Sequence, residues 1–126
     1  MLKWKIFRNK SVAIGWLVLI SVLFFLPGSA LPEENWLGKI YIDKWVHIGF
    51  FAVLVFLWRS SFTWDINKYN IFLLFAAVLY GCFVEIVQLY WVANRSFDVY
   101  DVMSDTVGSI LGLLIWFQVY KKNKPL

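Results

Sequence analysis

Four apolar stretches, separated by charged or turn-forming residues, divide this 126-residue chain. The first runs from Val12 to Leu26 behind Lys3, Lys5, Arg8 and Lys10, and stops at Pro27-Gly28. The second, from about Ile40 to Trp58, contains His47. Ser60, Ser61, Asp65, Asn67, Lys68 and Asn70 then predict a short polar loop before a third stretch, Ile71 to Trp91, broken only by Gly81, Glu85 and Gln88. A polar, turn-like segment from Ala93 to Tyr100 leads into the fourth stretch, from about Asp101 to Tyr120, which ends at Lys121, Lys122 and Lys124. At about 1.5 Å per residue, the third stretch spans roughly 31 Å, about one hydrocarbon core. The pattern predicts an all-α fold, an integral membrane bundle of four transmembrane helices over about residues 11–27, 40–59, 71–92 and 101–120. The whole chain, residues 1–126, reads as a single transmembrane domain. Because Gly28-Ser29-Ala30 follows the first stretch, that stretch also fits a cleaved signal peptide. Both readings send the following chain to the outer face.

The polar residues fall at helical spacing. Asp43 and His47 are four apart, Glu85 and Gln88 three apart, and Asp101 and Asp105 four apart. At about 100° per residue, Asp43, His47, Phe50 and Leu54 share one stripe, Gly81, Glu85 and Gln88 a second, and Asp101, Asp105, Gly108 and Gly112 a third. Ionisable side chains at membrane depth are costly and normally face protein or a wet cavity. Three such stripes predict one shared polar site. Gly108 and Gly112 predict a helix-packing face, because small residues four apart let helices approach closely in lipid.

Composition strengthens the membrane reading. The chain is 61% hydrophobic and 16% charged, against about 45–50% apolar and about 25% charged in soluble domains. Its net charge of +4 comes from residues that flank the apolar stretches and form no separate patch, so no nucleic-acid partner is expected. With both termini cytoplasmic, Lys3, Lys5, Arg8, Lys10, Arg59, Lys68, Lys121, Lys122 and Lys124 lie inside, against Lys39, Lys44 and Arg95 outside. This orientation puts the three polar stripes near the outer surface, with Arg95 and Asp98 in the adjoining loop. A lone Cys82 rules out an internal disulfide framework.

Each candidate has a functional and a structural reading. His47 suits proton transfer or metal ligation, since an imidazole exchanges protons near neutrality; structurally, it would donate to Asp43 or Glu85. Glu85 suits a general acid or proton relay; structurally, it would pair with Arg95 or Lys44. Gln88 reads as an interhelical hydrogen-bonding group. Arg95 offers a fork for phosphate or carboxylate, or a clamp for Asp98 or Asp101. Asp98, Asp101 and Asp105 could join Glu85 around a divalent cation, but first-turn aspartates also favour a helix N-terminus, and Asp101 is the expected cap. No zinc pattern, phosphate-cradling loop or nucleophile motif is present, and neither metal nor cofactor is expected.

The ordered string Asp43-Lys44-x-x-His47, Glu85-x-x-Gln88 and Arg95-x-x-Asp98-x-x-Asp101-x-x-x-Asp105-x-x-Gly108-x-x-x-Gly112 resembles the VanZ-like family of bacterial membrane proteins. The resemblance covers residues from about 40 to 115, and the position of Asp105 is more often Asn in that family. It implies a multi-pass protein of the bacterial cytoplasmic membrane with a role in the cell envelope. The family's named member is associated with low-level teicoplanin resistance. No reaction or catalytic residue follows from the resemblance. The expected function is an outward-facing polar pocket that binds, or binds and modifies, a lipid-linked or cell-wall-associated ligand, with membrane lipids as partners. Two alternatives stand beside it: a small membrane enzyme using Glu85 and His47 for acid–base chemistry, and a non-catalytic scaffold or assembly subunit.

Overall fold

The computed structural model describes residues 9–26, 42–61, 66–92 and 98–123, with side chains left undescribed at 42–43, 66–67 and 120–123. These residues form four helices and no strand: α1 (Lys10–Phe24), α2 (Ile42–Ser61), α3 (Ile66–Trp91) and α4 (Val99–Asn123).

Local chemistry sets the helix ends. Asn9 caps α1 by accepting from the Ser11 amide at 2.8 Å. Phe25 closes the same helix through its N–H to Ser21 O and Val22 O. The helix stops short of the expected residue 27 because Leu26 precedes a proline, which disfavours helical backbone. The third helix begins at Ile66 rather than 71, so Asn67, Lys68 and Asn70 are helical and not part of a loop. Their neighbours explain the early start. Asn70 Oδ1 accepts from Arg59 Nε at 2.6 Å, and the Tyr69 hydroxyl donates to Trp58 O at 3.0 Å. Polar groups that looked like loop residues are thus tied to the end of α2. Arg59 itself is buried there, under the rings of Trp116 and Tyr69.

The closest pairing is between α2 and α4, and it depends on missing side chains. A Cβ at Gly108 would run into Ile48 O and Cα, and one at Gly112 into Ala52 O and the Val55 side chain. The backbones of the two helices therefore touch, as small residues at this spacing permit. Phe51, Leu54 and Val55 fill the core from α2, joined by Ile20 and Phe24 of α1 and by Tyr69, Leu73, Ala77 and Val84 of α3. Polar contacts fasten α1: Trp16 Nε1 donates to Phe50 O at 3.1 Å, and the Ser21 hydroxyl bonds the Tyr80 hydroxyl.

The distribution of polarity is inverted relative to a soluble bundle. His47, Glu85, Gln88, Asp105 and Ser109 are buried, while Phe72, Phe75, Leu79, Phe83, Leu114 and Phe117 are exposed. Apolar surface on this scale marks contact with lipid or partners. Two helices, over Lys68–Trp91 and Val99–Val119, are long and apolar enough to cross a membrane. That is fewer than the four expected. The reason lies in the other two: α1 has only 15 residues, and α2 carries Asp43, Lys44, His47 and Arg59.

Candidate functional site

The close approach of α2 and α4 brings Lys44 and His47 against the first two turns of α4. Asp98 begins this region as the cap of α4: its Oδ1 accepts from Tyr100 N at 2.9 Å, and its carbonyl accepts from Asp101 N at 3.0 Å. Asp101, the expected cap, lies within the first turn instead. That placement frees its carboxylate to face inward. Lys44 Nζ donates to Asp98 Oδ2 at 2.6 Å and to Asp101 Oδ1 at 2.7 Å. The Lys44 ammonium, with the Tyr100 amide assisting, holds the Asp98 carboxyl below the usual carboxylate range, against the opposing effect of partial burial. This clamp persists at neutral pH and, on the acid side, is lost as pH falls through that lowered value.

Deeper along the same seam, His47 Nδ1 pairs with Asp105 Oδ1 at 2.6 Å, and His47 Nε2 lies 3.7 Å from Asp101 Oδ2. With Asp105 ionised its oxygen accepts, and in that form Nδ1 carries the proton. The Phe24 ring stacks on the imidazole at 4.9 Å between centroids. Gln88 Nε2 donates to Phe24 O at 2.7 Å, satisfying a carbonyl at the end of α1 that no further turn of helix would reach. The outer three residues of the seam, Asp98, Lys44 and Asp101, keep 36%, 17% and 13% of their side-chain surface, whereas His47 keeps 7% and Asp105 1%. Polarity thus runs continuously from the surface into the bundle.

At the inner end stands Glu85, fully buried. It meets the carboxyl of Asp101, with Asp105 and Asp98 adding further negative charge. Two ionised carboxylates offer each other only acceptors, whereas a proton on one of the pair lets it donate to the other. Neither Glu85 oxygen finds a donor among the described residues, and neither does Asp105 Oδ2. That last oxygen lies over Gly81, where a Cβ would come within 2.6 Å of it.

Several sequence expectations change here. His47 bonds Asp105, not Glu85. Lys44 binds Asp98 and Asp101 rather than Glu85. The side chain of Asp43 and the whole of Arg95 lie outside the described residues. Among the described residues, no group of three or more His, Cys, Asp or Glu is arranged to hold a metal ion. Phe24 was not anticipated at the site, while Lys44 was expected only as a partner of Glu85 and Gly81 only on the stripe of Glu85 and Gln88. Lys44 had a signal, since it stands three residues before His47 and so shares its helix face. Phe24 had none beyond an aromatic ring at the end of an apolar stretch.

A family model described as VanZ/LLP1 matches residues 5–120. The chain belongs to the VanZ/LLP1 family. The match takes in all four helices of this VanZ/LLP1 protein except the last residues of α4. No curated protein and no solved structure matches the chain.

Proposed function

We propose that this VanZ/LLP1 protein is a multi-pass component of the bacterial cytoplasmic membrane, with four spans and both termini inside. In this reading the Asp98 end of the seam opens to the outer face. The site there binds, or binds and modifies, a lipid-linked or cell-wall-associated ligand. The observation that carries it is the buried carboxyl of Glu85, which finds no hydrogen-bond donor among the described basic and amide groups, at the end of a polar seam that starts at the surface. A scaffold whose polar groups serve only helix packing would pair them, because an unpaired buried polar group destabilises a fold by about 1–3 kcal/mol or more. The enzyme alternative also has a specific observation behind it. Asp105 orients His47 through Nδ1, as a carboxylate orients a general base.

Orientation is tested with single cysteines in a Cys82→Ala background. Cysteine at Glu34 or Ser96 should react with an impermeant thiol reagent in intact cells, and cysteine at Lys68 should not. Labelling at Lys68 alone would reverse the topology and turn the site inward.

Function is tested with Glu85→Gln. The substitution keeps the shape and removes the charge, and it strands no cation, since no basic partner of Glu85 is present among the described residues. The variant should therefore insert and melt close to the parent protein. It should also lose the envelope phenotype, read as teicoplanin susceptibility in a host whose own copy is deleted. A stable variant with full activity would remove Glu85 from the site.

A further inference from the structure

Among the described residues, three carboxyl oxygens at the inner end of the seam find no basic or amide donor: Glu85 Oε1, Glu85 Oε2 and Asp105 Oδ2. Glu85 is 0% exposed, and so is Asp105. The basic groups nearby are engaged higher in the seam, Lys44 with Asp98 and Asp101, and His47 with Asp105. What the inner site calls for is hydrogen-bond donors and positive charge. A primary ammonium brings three N–H donors and one positive charge, matching three acceptors. The outer end already displays this chemistry within the chain itself. There, two carboxylates hold the Lys44 ammonium at 2.6 and 2.7 Å. From this we infer that the site recognises a primary ammonium group on its ligand, held by Glu85 and Asp105 one level below the Lys44 clamp.

The inference rests on the binding reading above and names the ligand's chemical class. The class has two sources at an outer leaflet: the headgroup of an aminophospholipid, or a free amine such as that of an amino sugar. A quaternary ammonium has the charge but no N–H, and a phosphatidylglycerol headgroup has hydroxyls with a net negative charge. Neither satisfies buried carboxylates in the same way.

The experiment uses the full-length protein in nanodiscs of phosphatidylcholine doped with either phosphatidylethanolamine or phosphatidylglycerol, and reads retained lipid by native mass spectrometry. A parallel arm adds ethanolamine or glucosamine to protein in phosphatidylcholine alone and reads binding by titration. Glu85→Gln is run beside the parent throughout, with its melting temperature measured on the same preparation. The expected result is selective retention of phosphatidylethanolamine, reduced roughly ten- to a hundredfold in Glu85→Gln. Binding of the free amines without lipid retention, again lost in the variant, also supports the inference and assigns the soluble source. Equal amine binding by parent and variant overturns it. Retention of phosphatidylglycerol that depends on Glu85 overturns the ammonium class but leaves the binding reading standing. If no probe binds in a Glu85-dependent way, the ammonium inference is overturned and the binding reading loses its support as well.

Discussion

Leucine in place of Gly108 should prevent the bundle from assembling, and even alanine there should destabilise it. A Cβ at this position would meet the backbone of α2, with Ile48 Cα at 2.9 Å and Ile48 C at 3.0 Å. A backbone cannot rotate aside as a long side chain can. Overpacking a core typically costs about 1–3 kcal/mol, and separating two touching helices belongs at or above the top of that range. Gly112→Ala should behave similarly but less severely, because its Cβ meets Ala52 O and the Val55 side chain, which has some freedom to shift. Gly49 and Gly15 provide the controls, since nothing lies within 4 Å of a Cβ built at either. Alanine at those positions should leave melting unchanged or raise it slightly, as expected from helix propensity. The measurement is melting temperature in detergent, with the monodisperse fraction after gel filtration. Parent-like melting of Gly108→Leu would mean that α4 does not pack on α2 through this face.

The helices and the shared faces of their polar residues were readable in the sequence, whereas the pairings were not. Asp101, Asp105, Gly108 and Gly112 recur every three or four residues, so their common face follows from helical geometry alone. The partner of His47 does not follow from it. From the sequence Asp43 or Glu85 is the expected partner, and Asp105 emerges only once the α2–α4 approach is known, which depends on which backbone atoms the glycines admit. Lys44 was harder still, because a long flexible side chain reaches carboxylates on another helix that its own spacing does not specify. At the opposite end, Asn67, Lys68 and Asn70 read as a loop by composition. Tertiary contacts from Arg59 and Trp58 override that local preference. The number of membrane crossings shows the same limit. Apolar patterning marks four segments, yet α2 carries so much of the polar chemistry that length and apolarity single out only α3 and α4.

Asp105→Ala should be the most damaging substitution within the polar seam, and Asp105→Asn nearly silent for folding. Alanine leaves His47 Nδ1, buried beneath the Phe24 ring, without its 2.6 Å partner. Removing one member of a buried pair typically costs about 3–5 kcal/mol. Asparagine keeps an oxygen where Oδ1 accepts from His47. Its amide nitrogen takes the place of Oδ2, the atom that now faces Gly81 and lacks a donor. Gly81 supplies an independent check on this geometry. Its Cβ in Gly81→Ala would stand 2.6 Å from Asp105 Oδ2 and 3.3 Å from Asp105 Cβ, so the carboxylate must shift and strain the bond to His47. In the parent protein that change should cost about 1–3 kcal/mol. In an Asp105→Ala background the displaced oxygen is absent and only the 3.3 Å approach to Cβ remains, so the added cost should fall well below that in the parent. Melting temperatures of the parent, both single variants and the double variant complete the cycle, and coupled neighbours depart from additivity by about 0.5–3 kcal/mol. Strict additivity would show that Gly81 does not face Asp105. An Asp105→Ala protein as stable as the parent would show that His47 does not depend on this carboxylate.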